Sequence, residues 1–163
     1  MAVLNVLEYP DPALRVATSE VSAFGDELKR LVADMWETMY LSKGVGLAAP
    51  QVGRPVKLFV ADWEGNRRVV ANPRIVETEG AEKVDEGCLS FPGIYEEVTR
   101  PAKIRIVYRD ENGERHDETA EGYLARVFVH ETDHLNGKLL IDNLSALKRA
   151  FIRKKMSKKS RER

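Results

Sequence analysis

Gly122-Tyr123-Leu124-Ala125-Arg126-Val127-Phe128-Val129-His130-Glu131-Thr132-Asp133-His134-Leu135-Asn136-Gly137 reads as one helix that carries two imidazoles. Tyr123, Val127, His130 and His134 recur at three- and four-residue steps and so share a face, while Gly137 stands where a helix is expected to end. Inside it, His130-Glu131-Thr132-Asp133-His134 sets two histidines at i and i+4, where both rings can reach one metal ion and Glu131 can reach a water on that ion. The chain holds 3 histidines, and in a chain of this composition chance predicts about 0.006 such patterns. A metal site therefore outweighs the bland reading, a pair of solvated helix histidines. Apolar neighbours along the same face would shield such a site from water.

Two histidines do not complete a catalytic centre, which usually has three protein ligands. No histidine follows His134, and few acidic residues do. Upstream lies Cys88, the single cysteine, within Glu86-Gly87-Cys88-Leu89-Ser90. Taken alone it reads as a small buried hydrophobe. Its flanks favour a ligand, since Gly87 allows close backbone approach and Pro92-Gly93 marks a turn soon after. A thiolate there could supply the missing donor.

Outward from the motif helix, Leu28, Leu31, Val32, Met35, Met39 and Tyr40 form an apolar stripe that predicts a helix over 26–41. The stretch 44–53 is too rich in Gly and Pro for a regular element. Val56–Ala61 and Arg68–Ala71 read as strands about a turn at Glu64-Gly65-Asn66. Lys103–Tyr108 alternates, and Asp110-Glu111-Asn112-Gly113 leads as a hairpin into Glu114–Thr119. Leu139–Ile141 reads as a short strand, and Ser145 as the cap of a final basic helix. The expected class is α+β: antiparallel strands packed around a central metal-binding helix, with an N-terminal helix and a C-terminal basic helix.

A length of 163 residues suits one domain with a real core. With 43% hydrophobic and 32% charged residues, the composition is that of an ordinary soluble protein, and no apolar run approaches a membrane span. Met1–Glu8 lacks the marks of a signal peptide, and one free cysteine fits a reducing compartment, so a cytoplasmic location and no membrane partner are expected. A net charge of zero conceals an asymmetry. Residues 148–163 carry nine basic groups against Glu162 alone, leaving 1–147 at −8 and the tail at +8. Residues 1–147 are read as the catalytic domain and 148–163 as a basic helix or tail. Such a block is often only solvated, yet it can meet nucleic acid through phosphate contacts.

Gly44-Val45-Gly46-Leu47-Ala48-Ala49 matches the spelling of a dinucleotide fingerprint. That fingerprint needs a strand before it and a helix after it. Here a helix precedes, and Pro50, Gly53 and Pro55 lead into a strand, so no nucleotide cofactor is expected. Gln51 beside flexible glycines points instead to a loop lying against a substrate, with a side-chain amide able to donate to a developing oxyanion.

Three separated segments together resemble the peptide deformylases: Gly44-Val45-Gly46-Leu47-Ala48-Ala49-Pro50-Gln51, Glu86-Gly87-Cys88-Leu89-Ser90 and His130-Glu131-Thr132-Asp133-His134-Leu135. The similar layout covers almost the whole chain. The resemblance implies a metal-dependent hydrolase that removes the formyl group from N-terminal formylmethionine of new peptides, releasing formate. It implies Cys88, His130 and His134 as metal ligands with a water in the fourth position, and Glu131 as general base and then acid. Gln51 and the Leu89 backbone N–H would stabilise the oxyanion. Val45 and Gly46 would pair with the substrate backbone, and the methionine side chain would enter a pocket including Val127, with Glu86 and Tyr123 nearby. The implied metal is Fe2+, for which Zn2+, Ni2+ or Co2+ can substitute. Implied partners are formylmethionyl nascent chains and, through the basic tail, the ribosome.

Val129 departs from the glutamine usual before the first motif histidine, and Tyr95 stands where relatives often place an arginine. Val129 sits about 100° around the helix from His130 and is no ligand. A metallopeptidase cutting ordinary peptide bonds would need a third ligand downstream, which is lacking. A non-catalytic binding module would need neither Glu131 nor Gln51.

Overall fold

A computed structural model describes residues 2–161 of the chain. Met1, Glu162 and Arg163, which the sequence reading included in its N-terminal stretch and basic tail, lie outside the described residues. The order of elements is α1 (Asp26–Leu41), β1 (Gly46–Ala48), β2 (Leu58–Trp63), β3 (Asn66–Glu79), β4 (Glu82–Gly87), β5 (Tyr95–Arg100), β6 (Lys103–Arg109), β7 (Arg115–Glu121), α2 (Gly122–Leu135) and α3 (Ala146–Arg161). Five strands form an antiparallel sheet in the order β1-β2-β3-β6-β7, and β4 pairs with β5 in a separate ribbon.

Period-2 alternation divides the sheet between two helices. Phe59, Ala61, Val70, Ile104 and Ile106 turn to one side and pack with Ala125, Val127 and Phe128 of α2. Leu58, Val60 and Ala71 turn to the other side and meet Leu28, Val32, Met35 and Met39 of α1. α2 therefore lies between sheet and site, with its apolar face anchored. Burial of one such Leu, Ile or Phe side chain contributes about 2–3 kcal/mol. Several of them together offset the cost of the charges that α2 also carries inward.

α2 stops as its sequence predicts. Gly137 has φ 72°, its N–H donates to the His134 carbonyl, and the Lys138 N–H donates to the Asp133 carbonyl. Only glycine adopts that left-handed backbone without strain, and the helix ends at Leu135, one residue past the motif. A third apolar cluster joins Leu14, Phe91, Ile94, Leu139 and Leu140 to Ile152 and Met156 of α3, and Cys88 packs against it.

Four local expectations need correction. The stretch 44–53 does contain regular structure: β1, then a 3-10 turn over Ala49–Val52. Leu139–Ile141 is no strand, because residues Leu140–Asn143 wind into a 3-10 turn in which the Asp142 carboxylate accepts the Leu139 N–H. β3 runs to Glu79, well past Ala71, through an irregularity at Asn72-Pro73 where the proline masks the strand pattern. The β4–β5 ribbon escaped notice because four of the six β4 residues are exposed and mostly charged.

Candidate metal centre and active site

Three chain segments converge on one cleft of about 360 Å³. α2 brings His130 and Glu131, with His134 buried behind them; the turn after β4 brings Cys88 and Leu89; β1 and the turn after it bring Gly46 and Gln51. Cys88 Sγ lies 3.4 Å from His134 Nε2, which lies 3.2 Å from His130 Nε2. Metal–sulfur and metal–nitrogen bonds of about 2.3 and 2.05 Å at tetrahedral angles would separate sulfur from nitrogen by about 3.6 Å and the nitrogens by about 3.3 Å. The three donors thus already stand at the spacing of a shared divalent cation, and they form a Cys-His-His site. One sulfur and two imidazoles suit zinc, iron, nickel or cobalt on ligand grounds.

The ring of His130 is oriented from behind. Its Nδ1 meets the Glu86 carboxylate, which leaves Nε2 free to donate a lone pair to a cation. Glu86 is 3% exposed, yet burial is outweighed by the partners around it: His130, and the Arg100 guanidinium at 2.6 and 3.1 Å. Its carboxyl is held well below the usual range and stays ionised. Arg126 adds a bond of 2.8 Å to Glu86, and Arg100 reaches on to Asp133 at 2.6 Å. Three buried charges and the half-buried Asp133 thereby pair behind one metal-facing ring. Burial pushes the His134 imidazole down, toward the neutral form that can bind a cation.

Glu131 is 5% exposed, and its Oε1 has no hydrogen-bond partner among the described residues. Its Oε2 stands 4.0 Å from His130 Nε2. Burial, with the Glu86 and Asp133 charges adding to it, pushes the carboxyl up to about 7 against the pull of His130 and Arg100. A carboxyl of that kind, unpartnered and open to the cleft, is suited to accept and return a proton.

Gln51 is fully enclosed. Its Oε1 accepts the Ala48 N–H at 3.0 Å, which fixes the amide so that Nε2 donates to Ser90 Oγ at 3.0 Å and faces Cys88 Sγ at 3.6 Å. The Leu89 N–H makes no hydrogen bond with another described residue, and Leu89 lines the cleft. Val45 and Gly46 line the cleft at the outer edge of the sheet. The Val45 carbonyl accepts the Asp62 N–H from β2, so alternation turns the Gly46 backbone groups toward the open edge.

Tyr123 and Val127 border a smaller void of about 30 Å³, which opens beside the cleft and is shared with Val45, Gly87 and Glu131. The Tyr123 ring also stacks obliquely on Trp63, centroids 4.3 Å apart. Glu86 borders the void as well, though its carboxylate is committed to His130 and the two arginines. Tyr95 is 72% exposed at the cleft mouth, its ring lying across Gly87. Val129 packs into the sheet core and borders neither space. Arg100, Arg126 and Ser90 were not anticipated. Arg126 carried a readable signal, lying four residues before His130 on the motif helix; Arg100 carried none.

Comparison with known proteins fits this geometry. The polypeptide deformylase family model matches residues 3–150. The chain is 48% identical to a peptide deformylase of Pseudomonas aeruginosa, with 99% of each covered. It superposes with a TM-score of 0.93 on a peptide deformylase of Legionella pneumophila, at 43% identity and covering 98% of this chain and 96% of that one. A peptide deformylase of Ehrlichia chaffeensis in complex with actinonin gives a TM-score of 0.94 at 38% identity, with 99% of each chain covered.

Proposed function

The chain belongs to the polypeptide deformylase family, metal-dependent hydrolases that remove the N-formyl group from nascent peptides, and on that premise we propose how its residues divide the work. Cys88, His130 and His134 would hold the cation. Bound there, a divalent metal supplies Lewis acidity to the formyl carbonyl and acidifies an attacking water. Glu131 takes a proton from that water on its free carboxylate oxygen and returns it to the departing amine nitrogen. The Gln51 amide and the Leu89 N–H donate to the oxygen that becomes negative as the carbonyl carbon turns tetrahedral. Gly46 and Val45 align the peptide as an added strand at the sheet edge, which directs the formyl group toward Glu131 and Gln51. The methionine side chain enters the void bordered by Tyr123 and Val127, with Glu86 forming its wall. The observation that carries this reading is the unpartnered Glu131 carboxylate beside three donors at metal-ligand spacing.

Fe2+ is the metal we assign, on the family resemblance, with Zn2+, Ni2+ or Co2+ able to replace it in the same donor set. No helix among the described residues is long and apolar enough to cross a membrane. We place the enzyme in the cytoplasm, acting on chains as they leave the ribosome. Residues 1–147 form the catalytic unit and 148–163 the basic appendage that meets the ribosome. The supporting observation for the appendage is α3, whose Ile152 and Met156 are buried while Lys154, Lys155 and Lys158 face outward.

Formate release tests the reading. Formyl-Met-Ala is expected to yield formate and Met-Ala, while acetyl-Met-Ala stays intact and the Met-Ala bond is not cut. Cleavage between the two residues, or silence with metal bound, would overturn it.

A further inference from the structure

The outer face of the five-stranded sheet holds a second cleft of about 360 Å³, away from the metal centre. Lys57, Arg74, Arg109 and Arg115 line it, and Glu20 is the single carboxylate among its lining residues. The alternation that buries Ile104 and Ile106 under α2 leaves Arg105 and Arg109 exposed on the opposite face. In the β6–β7 register Arg109 stands directly opposite Arg115. Like charges in that position repel and weaken the strand pair.

The same face shows how such charge is normally met. Arg105, four residues earlier on β6, is bracketed by Glu77 at 3.2 Å and Asp117 at 2.8 Å. None of the four cleft cations closes an ion pair among the described residues. Arg109 spends one donor on the Gly113 carbonyl. Arg115 contributes only to the field that lowers Asp117, behind the hydrogen bond from Arg105. This cationic group also runs against the −8 balance of residues 1–147. Four cations with no ion pair among the described residues, two of them opposed across a strand pair, fit a surface completed by an external anion.

We propose that this cleft binds the phosphate backbone of an RNA strand. The cations are long side chains spread over the middle of β3, the end of β6, the start of β7 and the segment before β2, on an open sheet face. Such an array follows a chain of phosphates by charge, whereas a single small anion calls for a fixed cage. The surface lies on the body of the protein and is distinct from the basic helix α3. It does not rest on the deformylase reading, since RNA affinity and formate release are measured independently.

The test is fluorescence anisotropy of a labelled single-stranded RNA of about 20 nucleotides titrated with the full chain across a salt series. The Arg74→Ala/Arg109→Ala/Arg115→Ala variant is expected to bind at least about fivefold more weakly at low salt. Its plot of log K against log salt should be shallower by about 2, since each phosphate left without its cation takes about 0.7 from the slope. Formate release from formyl-Met-Ala should be unchanged, which shows that the variant is folded. Should the triple variant not fold, Arg115→Gln is expected to lower the slope by about 0.7 on its own. Affinity and slope equal to wild type would overturn the proposal. So would full displacement of the RNA by inorganic phosphate at matched ionic strength, which would assign the cleft to a small anion.

Discussion

The Cα of Gly46 lies against the carboxylate of Glu131, so that a Cβ built on residue 46 would stand 2.5 Å from Glu131 Oε2. The constraint is steric, because Gly46 does not occupy the left-handed backbone region. A glycine in β1 is thus part of what sets the proton carrier on α2.

Gly46→Ala should therefore push the Glu131 carboxylate aside without touching the metal ligands. Formate release is expected to fall by roughly 10²-fold, the scale of a misplacement of about 1 Å in a catalytic group, while metal content stays at wild type. Wild-type activity in Gly46→Ala would show that the close approach has no bearing on turnover.

Glu86 is the hub that ties His130 to Arg100 and Arg126. In Glu86→Gln the His130 ring loses its charged partner, Arg126 loses its carboxylate partner, and Arg100 keeps only Asp133. Metal affinity should drop about 10–100-fold in chelator competition. Stability of the metal-free protein should fall by about 3–5 kcal/mol in denaturant titration, since broken buried pairs leave charge uncompensated. Affinity equal to wild type would mean that the ring is held by packing alone.

Asp142 offers an acid-linked test away from the metal. Burial raises its pKa, but the fork of hydrogen bonds from Arg15 and the Leu139 N–H outweigh burial, and the carboxyl sits below its ordinary value. A depressed folded value contributes stability above the unfolded pKa, about 3.9, and loses it as pH falls through the folded pKa. Wild type should exceed Asp142→Asn by about 0.5–1 kcal/mol at neutral pH, with Arg15 partly exposed, and the gap should close in acid. A gap that persists below pH of about 2 would point to altered packing instead of the missing charge.

Ribosome docking should follow the exposed charges of α3 and not its buried side. Lys154→Glu/Lys155→Glu/Lys158→Glu keeps Ile152 and Met156 in the core and reverses the outward charge. Salt-sensitive co-sedimentation with ribosomes should disappear while activity on formyl-Met-Ala is retained. Unchanged sedimentation would remove the docking role from α3.

Much of this was legible in the residues, for identifiable reasons. α1 and α2 carry long apolar stripes with clear ends, and their bounds match the observed helices within a residue or so. Cys88, His130 and His134 could be grouped because cysteine and histidine are so scarce here. The β4–β5 ribbon was hidden because a mostly exposed strand has no apolar alternation to read. Residues 139–141 are as apolar as a strand, but the nearby Asp142 side chain caps the backbone and wins locally. Arg100 and Arg126 look like surface residues by type. Only the fold brings Glu86 to them from 14 and 40 positions away.

Glu131→Gln tests the arrangement most directly, because it keeps the shape of the side chain and removes its ability to carry a proton. With iron or a substitute loaded, metal analysis should still find one ion per chain, and formate release from formyl-Met-Ala should fall by about 10²-fold or more. Full activity with the metal in place would contradict the role of the Glu131 carboxylate.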